Sequence, residues 1–129
     1  MVVDDEEFCI SAMMTLLEKI GINVNDQVDV CITGKEALDR LQGNALNNIY
    51  YKIILTDISM PIMDGIEATK RIREFLRDRS LDQPVIIGIS GHIQQEFIEK
   101  GKDAGIDEIL PKPMYIKTLR KIMKDHGLL

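Results

Sequence analysis

The chain has 129 residues, of which 45% are hydrophobic and 29% are charged, and its formal net charge is −5. This length and composition suit one domain with its own core, and they exclude a disordered, collagen-like or disulfide-stapled chain. The acidic balance argues against direct binding to nucleic acid, because the basic cluster in the sequence is interleaved with acids and is predicted to be a solvated helix face. That cluster comprises Lys70, Arg71, Arg73, Arg77 and Arg79.

Neither a membrane span nor a targeting signal is visible in the sequence. No apolar run approaches the length of about 18 residues that a membrane helix needs. Val2-Val3 is followed at once by acidic residues, unlike the start of a secretory signal. We therefore expect a cytoplasmic chain, or the cytosolic part of a larger membrane protein.

Cys9 and Cys31 each lie in an apolar stretch and are predicted to be reduced thiols of the core.

The first half of the chain alternates short β-rich runs with helical periodicity. Val2-Val3 is the end of a first strand, and residues 28–32 form a second. Between them lies an apolar series at helical spacing, which comprises Phe8, Ala12, Leu16, Leu17 and Ile20. Thr33 and Glu36 have the spacing of a capping box, which predicts that a helix begins there. Residues 44–48 are predicted to be a loop or a frayed helix end.

The second half continues the same alternation. Continuously apolar runs at residues 53–55 and 85–89 predict two strands that are covered on both faces. A helix follows each strand, the first with apolar residues from Ile66 to Leu76 and the second, weaker one over residues 94–104. A short strand at residues 108–110 then precedes a last helix. The apolar face of that helix comprises Ile116, Leu119, Ile122 and Met123.

Five successive β-then-α units predict an α/β fold with a parallel sheet and helices on both faces. Right-handed crossovers limit the topology to a few doubly wound forms, in which ligands bind at the carboxyl ends of the strands. The sequence places three carboxylates, a hydroxyl and an ammonium at successive strand ends. They belong to Asp4, Asp5, Asp57, Ser90 and Lys112.

These groups point to phosphoryl chemistry when they are taken together. Each has an ordinary alternative when taken alone: an aspartate as a helix cap, a serine in a turn, a lysine on the surface. Three adjacent carboxylates repel one another, and Mg²⁺ relieves the repulsion because it prefers carboxylates, waters and phosphate oxygens. A cation, an ammonium and a hydroxyl around Asp57 would neutralise a phosphoryl group while this carboxylate attacks it in line.

Four segments carry a resemblance to a known family. They are residues 2–6, the specific stretch from Ile54 to Gly65, Ile89-Ser90-Gly91, and Leu110-Pro111-Lys112-Pro113. Together they resemble the receiver domain of two-component response regulators and hybrid histidine kinases. The resemblance covers essentially the whole chain, so it implies a single receiver domain over residues 1–129. It also implies a five-stranded parallel sheet of flavodoxin-like strand order 2-1-3-4-5.

The resemblance also implies a role for each strand-end residue. Asp57 would accept a phosphoryl group from the phosphohistidine of a histidine kinase or a histidine phosphotransfer protein. The implied Mg²⁺ site comprises Asp57, the backbone carbonyl of Ser59 and the acidic pair Asp4 and Asp5, of which Asp5 is favoured as the direct ligand. Ser90 would hydrogen-bond a phosphoryl oxygen, and Lys112 would pair with the phosphate. The Lys112–Pro113 bond is expected to be cis.

The chain departs from the family pattern in two places. Three residues precede Asp4, so the first strand is expected to be short or trimmed. Ile109 stands where the family often has an aromatic ring that swings inward, which predicts a muted conformational response suited to a relay. The candidate partner surface is residues 94–125, where Gly101 weakens the fourth predicted helix by about 1 kcal/mol relative to alanine.

Two alternative functions remain open. A phosphatase resembling the haloacid-dehalogenase hydrolases needs a second aspartate two residues after its nucleophile, where this chain has Ser59. A pseudo-receiver that only binds partner proteins would not need an intact Asp57, Asp5 and Lys112. We therefore predict a module that catalyses its own phosphorylation and hydrolysis and is not an enzyme with a turnover substrate.

His92 is predicted to be an exposed loop residue. The alternative is that His92 positions water for dephosphorylation.

Overall fold

One parallel sheet organises the chain in the computed structural model, which describes residues 1–91 and 94–129. The five strands in these residues are β1 (Val2–Val3), β2 (Val30–Cys31), β3 (Ile53–Asp57), β4 (Val85–Ser90) and β5 (Glu108–Pro111). They pair in the order β2-β1-β3-β4-β5, and every pair is parallel. This order confirms the predicted flavodoxin-like, doubly wound sheet.

Six helices lie in the same described residues. They are α1 (Glu7–Lys19), α2 (Val24–Gln27), α3 (Gly34–Leu46), α4 (Gly65–Asp78), α5 (Gln95–Ala104) and α6 (Ile116–Asp125). The capping box is confirmed, since Thr33 Oγ1 accepts the Glu36 N–H at 3.0 Å and Glu36 Oε2 accepts the Ile32 N–H at 3.1 Å. Within the described residues, no helix combines the length and the apolar character that a bilayer span requires.

Some predicted boundaries were wrong. The second strand was predicted over residues 28–32, but only Val30 and Cys31 pair, because their partner strand β1 is itself two residues long. The short helix α2 was not predicted. Residues 44–46, predicted as a loop or frayed end, continue α3 to Leu46, and the turn that ends the helix begins at Asn47.

The strands bury alternate residues on the two faces of the sheet, as the period of a strand requires. On one face Ile54 and Ile86 pack with apolar residues of α3 and α4. On the other face Leu55 and Ile87 pack with apolar residues of α1 and α6. The two cores hold β3 and β4 at the centre of the molecule, so the residues that end these strands are fixed by packing from both sides.

The predicted apolar face of α1 was partly wrong. Phe8 is 83% exposed and Ala12 is exposed, whereas Met13 and Leu17 are buried against the sheet. Nine residues at about 100° each place Phe8 on the side of the helix opposite Leu17. The sequence contains apolar residues around most of this helix, and only the docking of the sheet decides which of them are buried.

Arg73 is not part of a solvated face, contrary to the prediction for the basic cluster. Its side chain is 15% exposed, and its guanidinium joins α4 to the segments before β4 and β5. Nε and Nη2 donate to the Gly105 carbonyl at 3.0 and 2.8 Å, and Nη1 donates to the Pro84 carbonyl at 2.7 Å. Nη2 also pairs with Asp107 Oδ2 at 3.0 Å. A planar fork of donors makes this set of bonds possible.

Replacing Arg73 with alanine should lower the free energy of unfolding by about 2–4 kcal/mol, because it leaves the part-buried carbonyls of Gly105 and Pro84 without their charged donor. The matched control is Arg71→Ala, on the same helix. Within the described residues, Arg71 makes an exposed ion pair with Glu67 at 2.8 Å, so its loss should change stability by less than about 0.5 kcal/mol. Urea denaturation of both variants measures the difference. Equal midpoints would contradict the stabilising role of the Arg73 hydrogen bonds.

Candidate functional site

Four strand ends converge at the carboxyl edge of the sheet. Asp57 is the last residue of β3 and Ser90 the last of β4, while Asp4 follows β1 and Lys112 follows β5. Parallel strands present their carboxyl ends at the same edge, which brings these distant residues together. Carboxylate oxygens of Asp4, Asp5 and Asp57 lie within 4.8 Å of one another.

The segment after Asp57 is folded back onto the sheet by backbone hydrogen bonds. The Gly65 N–H donates to the Ile58 carbonyl at 2.8 Å, and the Gly34 N–H donates to the Met63 carbonyl at 3.0 Å. Asp64 then caps α4, since its Oδ1 accepts the Glu67 N–H at 2.8 Å. These bonds close a compact loop over residues 58–64 and hold Asp57 at the floor of the site.

Lys112 lies between two of the carboxylates. Its Nζ is 3.1 Å from Asp4 Oδ2 and 3.5 Å from Asp57 Oδ2. The Lys112 backbone N–H donates to the Ser90 carbonyl at 2.8 Å, which ties the residue to the end of β4. The Lys112–Pro113 bond is cis, as predicted. The ammonium is thus positioned to meet a negative group that is attached to Asp57.

Asp4 and Asp5 differ in environment. Asp4 is buried, and both its oxygens have partners: Oδ1 accepts the Glu6 N–H at 2.9 Å and Oδ2 pairs with Lys112. Asp5 is exposed to solvent at the mouth of the site. A cation that approaches from solvent therefore meets the Asp5 carboxylate before that of Asp4.

The site holds more negative than positive charge, and the pKa values reflect this. Burial, and next the charge of Asp4, raise the pKa of Asp57 from 3.8 to about 6, although Lys112 opposes the shift. Burial lowers the pKa of Lys112, but the hydrogen bond to Asp4 and the charges of Asp57 and Asp4 outweigh it and raise that pKa to about 12. The ammonium stays protonated at neutral pH, and a further cation would favour the ionised form of Asp57.

The donor set fits a divalent cation that prefers oxygen. Among the described residues, three carboxylates face one ammonium. Burial disfavours the charged form of Asp57, and a bound cation would offset this penalty. Mg²⁺ is bound in proteins by one or two carboxylates together with waters and phosphate oxygens. Oxygen donors at one open edge meet that requirement, whereas zinc sites are usually built from Cys and His.

The pKa of Asp57 predicts how stability depends on pH in the metal-free protein. Because this pKa is raised from 3.8 to about 6 in the folded state, the native state binds the proton more tightly, and stability falls as the pH rises through this window. Asp57→Asn removes the ionisation. In chelator above pH 6, we expect this variant to be more stable than the unsubstituted protein by on the order of 2 kcal/mol.

Urea denaturation from pH 4 to pH 8 measures this difference, which should shrink towards zero near the lower limit. Asp82→Asn is the control, because Asp82 is exposed and precedes β4 at the opposite edge of the sheet. Added Mg²⁺ should narrow the gap at neutral pH, since a cation that binds only the native state stabilises it. A gap between Asp57→Asn and the unsubstituted protein that does not change with pH would contradict the prediction.

The remaining predicted site residues lie along the same edge. Ser90 is buried at the end of β4, and Ser59 is exposed two residues beyond Asp57. Ser59 thus lies in the compact loop over residues 58–64. The predicted role of His92 lies outside the described residues.

Cys9 is a site neighbour that sequence reasoning misplaced. Cys31 is fully buried as predicted, but Cys9 is only half-buried and its Sγ lies 3.7 Å from Lys112 Nζ. Burial and the charge of Asp4 raise the pKa of the Cys9 thiol. The sequence does contain a signal for the position of Cys9 near the site. Cys9 lies four residues after Asp5, which places it in the first turn of α1 beside the strand ends.

A groove beside the site is mostly apolar. It runs between α1 and the segment after β5 and reaches Asp57 and Lys112 at its inner end. Its other walls include Phe8, Ala12, Leu16, Pro113 and Met114. The exposure of Phe8 thus places an aromatic ring at the rim of the acidic site.

A sequence profile of the response regulator receiver domain matches residues 1–124 of this chain. The chain belongs to this family. Hybrid signal transduction histidine kinase L of Dictyostelium discoideum is 32% identical over 127 residues, which is 98% of this receiver domain and 7% of that protein. Hybrid signal transduction histidine kinase I of the same organism is 33% identical over 123 residues, which is 95% of the chain and 7% of that protein. The receiver domain therefore spans a small part of the relatives it matches.

Solved structures of other receiver domains share its architecture. The receiver domain of the histidine kinase CKI1 from Arabidopsis thaliana, complexed with Mg²⁺, superimposes with a TM-score of 0.81 at 29% identity, covering 96% of this chain and 88% of that one. The CheX–CheY–BeF₃–Mg²⁺ complex from Borrelia burgdorferi gives a TM-score of 0.78 at 27% identity, covering 96% and 85%. Both confirm the fold of the receiver domain described above.

Proposed function

We propose that this receiver domain, spanning residues 1–129, accepts a phosphoryl group on Asp57 from the phosphohistidine of a histidine kinase or histidine phosphotransfer protein. The observation that carries the proposal is the position of Lys112, whose Nζ lies 3.5 Å from Asp57 Oδ2 beside the convergent carboxylates of Asp4 and Asp5. A buried carboxylate next to an ammonium and an open acidic edge suits phosphoryl transfer better than structural ion pairing.

The transfer forms one bond and breaks another. An Asp57 oxygen attacks phosphorus, the phosphorus–nitrogen bond of the donor breaks, and the bonding pair stays on the leaving imidazole nitrogen. The histidine leaves as neutral imidazole because its other ring nitrogen carries a proton. Lys112 neutralises one equatorial oxygen of the transferring group, and the Ser90 hydroxyl donates to another. Attack by water on the aspartyl phosphate would return the carboxylate and release inorganic phosphate, so the domain limits its own signal.

A magnesium ion would be held by Asp5, Asp57 and the carbonyl of Ser59, with Asp4 supporting the site through Lys112 and the Glu6 N–H. The bound ion would offset the negative charge that accumulates between the carboxylates and the phosphoryl oxygens. Support comes from the CKI1 receiver domain from Arabidopsis thaliana, which is 30% identical to this chain and was solved as a complex with Mg²⁺ and BeF₃⁻.

The response to phosphorylation is proposed to be a conformational change of residues 94–125 that alters partner binding. Ile109 is half-buried and packs against the core on the α3 and α4 face. An aliphatic residue in that position has no ring to swing and no phenolic hydroxyl, which supports a muted response. The relatives are hybrid histidine kinases, so we infer a relay module of such a protein.

The decisive experiment is incubation with Mg²⁺ and acetyl phosphate, followed by intact mass measurement. We expect an adduct with the mass of one phosphoryl group, lost in chelator and in Asp57→Asn and retained in the control Asp82→Asn. Incubation with a phosphorylated histidine phosphotransfer protein then tests the natural donor class. Binding of that protein without any adduct would instead favour the pseudo-receiver, and release of phosphate from small phosphoesters would favour the phosphatase.

A further inference from the structure

The first residue of α3 approaches the loop over residues 58–64 backbone to backbone. Gly34 is buried, and its N–H donates to the Met63 carbonyl at 3.0 Å. The first N–H groups of a helix have no partner within the helix, so this bond also satisfies one of them. The start of α3 therefore supports the tip of a loop that belongs to a different part of the chain.

This approach depends on the absence of a side chain at Gly34. An added Cβ atom would overlap the Met63 carbonyl oxygen and lie 3.0 Å from the Asp64 carbonyl oxygen. It would also lie 2.9 Å from the Cβ atom of Ala68. Two of these neighbours are backbone atoms, which cannot turn aside as the end of a flexible side chain can. The φ of Gly34 lies outside the left-handed region, so alanine would disturb the contact and not the backbone conformation.

The loop, rather than the helix, would yield to a side chain at position 34. The helix is held by its core residues, since Ala37, Leu38 and Leu41 are buried against the sheet. Residues 59–63 of the loop are all exposed or half-buried. The more loosely packed partner moves first, so an added methyl group should displace the loop.

The loop is stiff between Met63 and Ser59, so that a displacement of one moves the other. Pro61 has a fixed φ, and it restricts Met60 before it to extended backbone. A hydrogen bond from the Met63 N–H to the Pro61 carbonyl at 2.8 Å closes the next turn. A displacement at Met63 is therefore passed back to Ser59, because few backbone torsions between them are free to absorb it.

We propose that Gly34 is a positioning residue for the metal ion: by supporting Met63 from α3, it sets the place of the Ser59 carbonyl in the Mg²⁺ site. The inference rests on the proposed function, in which this carbonyl is a ligand. Mg²⁺ requires near-ideal octahedral geometry with ligands at about 2.0–2.1 Å, so its affinity is sensitive to a small displacement of one ligand. Ca²⁺ accepts longer and more variable ligand distances and should tolerate the same displacement.

Metal titrations of Gly34→Ala, followed by amide chemical shifts, test the inference. We expect the dissociation constant for Mg²⁺ to rise about tenfold or more, the usual loss when a residue that orients a metal ligand is replaced. The dissociation constant for Ca²⁺ should rise by less than about threefold, because Ca²⁺ sites are more flexible. The preference of the site for Mg²⁺ over Ca²⁺ should therefore fall.

Two control variants of α3 and its cap separate positioning from a loss of stability. Gly43→Ala makes the same change on the same helix, where among the described residues no atom lies within 4 Å of the added methyl group. Thr33→Ala removes the N-cap beside Gly34, so it destabilises the start of α3 without placing an atom against the loop. Both controls should bind Mg²⁺ as tightly as the unsubstituted protein. Equal Mg²⁺ affinities of Gly34→Ala and Gly43→Ala, or an equal loss of Mg²⁺ and Ca²⁺ binding in Gly34→Ala, would overturn the inference.

Amide hydrogen exchange in the unsubstituted protein decides the question if Gly34→Ala does not fold. Coupling between two sites is reciprocal, so bound Mg²⁺ should strengthen the hydrogen bond between Gly34 and Met63. We expect Mg²⁺ to slow exchange of the Gly34 amide about fivefold or more relative to the Glu36 amide, which donates to Thr33 at the same helix end.

The exchange experiment also distinguishes failure of this inference from failure of the proposed function. If Mg²⁺ binds but leaves the ratio of the Gly34 and Glu36 exchange rates unchanged, Gly34 does not position the ion, and the proposed function stands. If the unsubstituted protein does not bind Mg²⁺ at all, the proposed function is overturned, and the role of Gly34 with it.

Discussion

Gly65→Ala should lower the free energy of unfolding by more than about 3 kcal/mol, because the added methyl group meets closely packed backbone atoms. A Cβ at this position would overlap the carbonyl oxygen of Asp57 and lie 3.1 Å from Ile58 Cα. These are backbone atoms, which cannot rotate away as the end of a side chain can. Relief would require movement of Asp57 itself, so phosphorylation should fall together with stability.

Gly43→Ala is the matched control for this prediction. Gly43 lies on the exposed side of α3, and an added methyl group there has open space around it among the described residues. Because alanine favours the helix, this variant should gain about 0.5–1 kcal/mol. Urea denaturation measures both changes. A Gly65→Ala variant that unfolds at the midpoint of the unsubstituted protein would show that the loop over the site is not closely packed.

Lys112→Ala should slow phosphorylation of Asp57 by about 10²–10³-fold, the usual loss when one preorganised group that stabilises the transition state is removed. Lys112 Nζ is 3.5 Å from Asp57 Oδ2, and its raised pKa keeps it charged at neutral pH. Loss of the ammonium also removes the charge that favours ionisation of Asp57. The pKa of Asp57 should therefore rise further in this variant.

The rate follows from intact mass over time with Mg²⁺ and acetyl phosphate in excess. Lys117→Ala provides the control, because Lys117 is exposed on α6 and changes the net charge by the same amount. If Lys112→Ala and Lys117→Ala were phosphorylated at equal rates, the ammonium would have a structural role in pairing with Asp4 and no role in the transfer.

The fold class and the position of the candidate site follow from local patterns in the sequence, whereas the strand order was implied by the family resemblance. Short apolar strands, helix periodicity and the cap at Thr33 each depend on neighbours within a few residues of the chain. Once the β–α alternation is known, parallel pairing requires the residues after each strand to meet at one edge. For this reason the sequence alone groups Asp4, Asp57 and Lys112.

Tertiary packing alone decided the features that depend on residues distant in the chain. Arg73 looks like its exposed neighbour Arg71 in the sequence, and it differs only because α4 lies beside Gly105 and Pro84. Phe8 is exposed because Met13 and Leu17 occupy the space against the sheet. Ile109 likewise fills the space beside Gly101 only because β5 lies next to α5. Which side of a helix faces the core, and which atoms fill a gap, are set by contacts between elements that no local pattern contains.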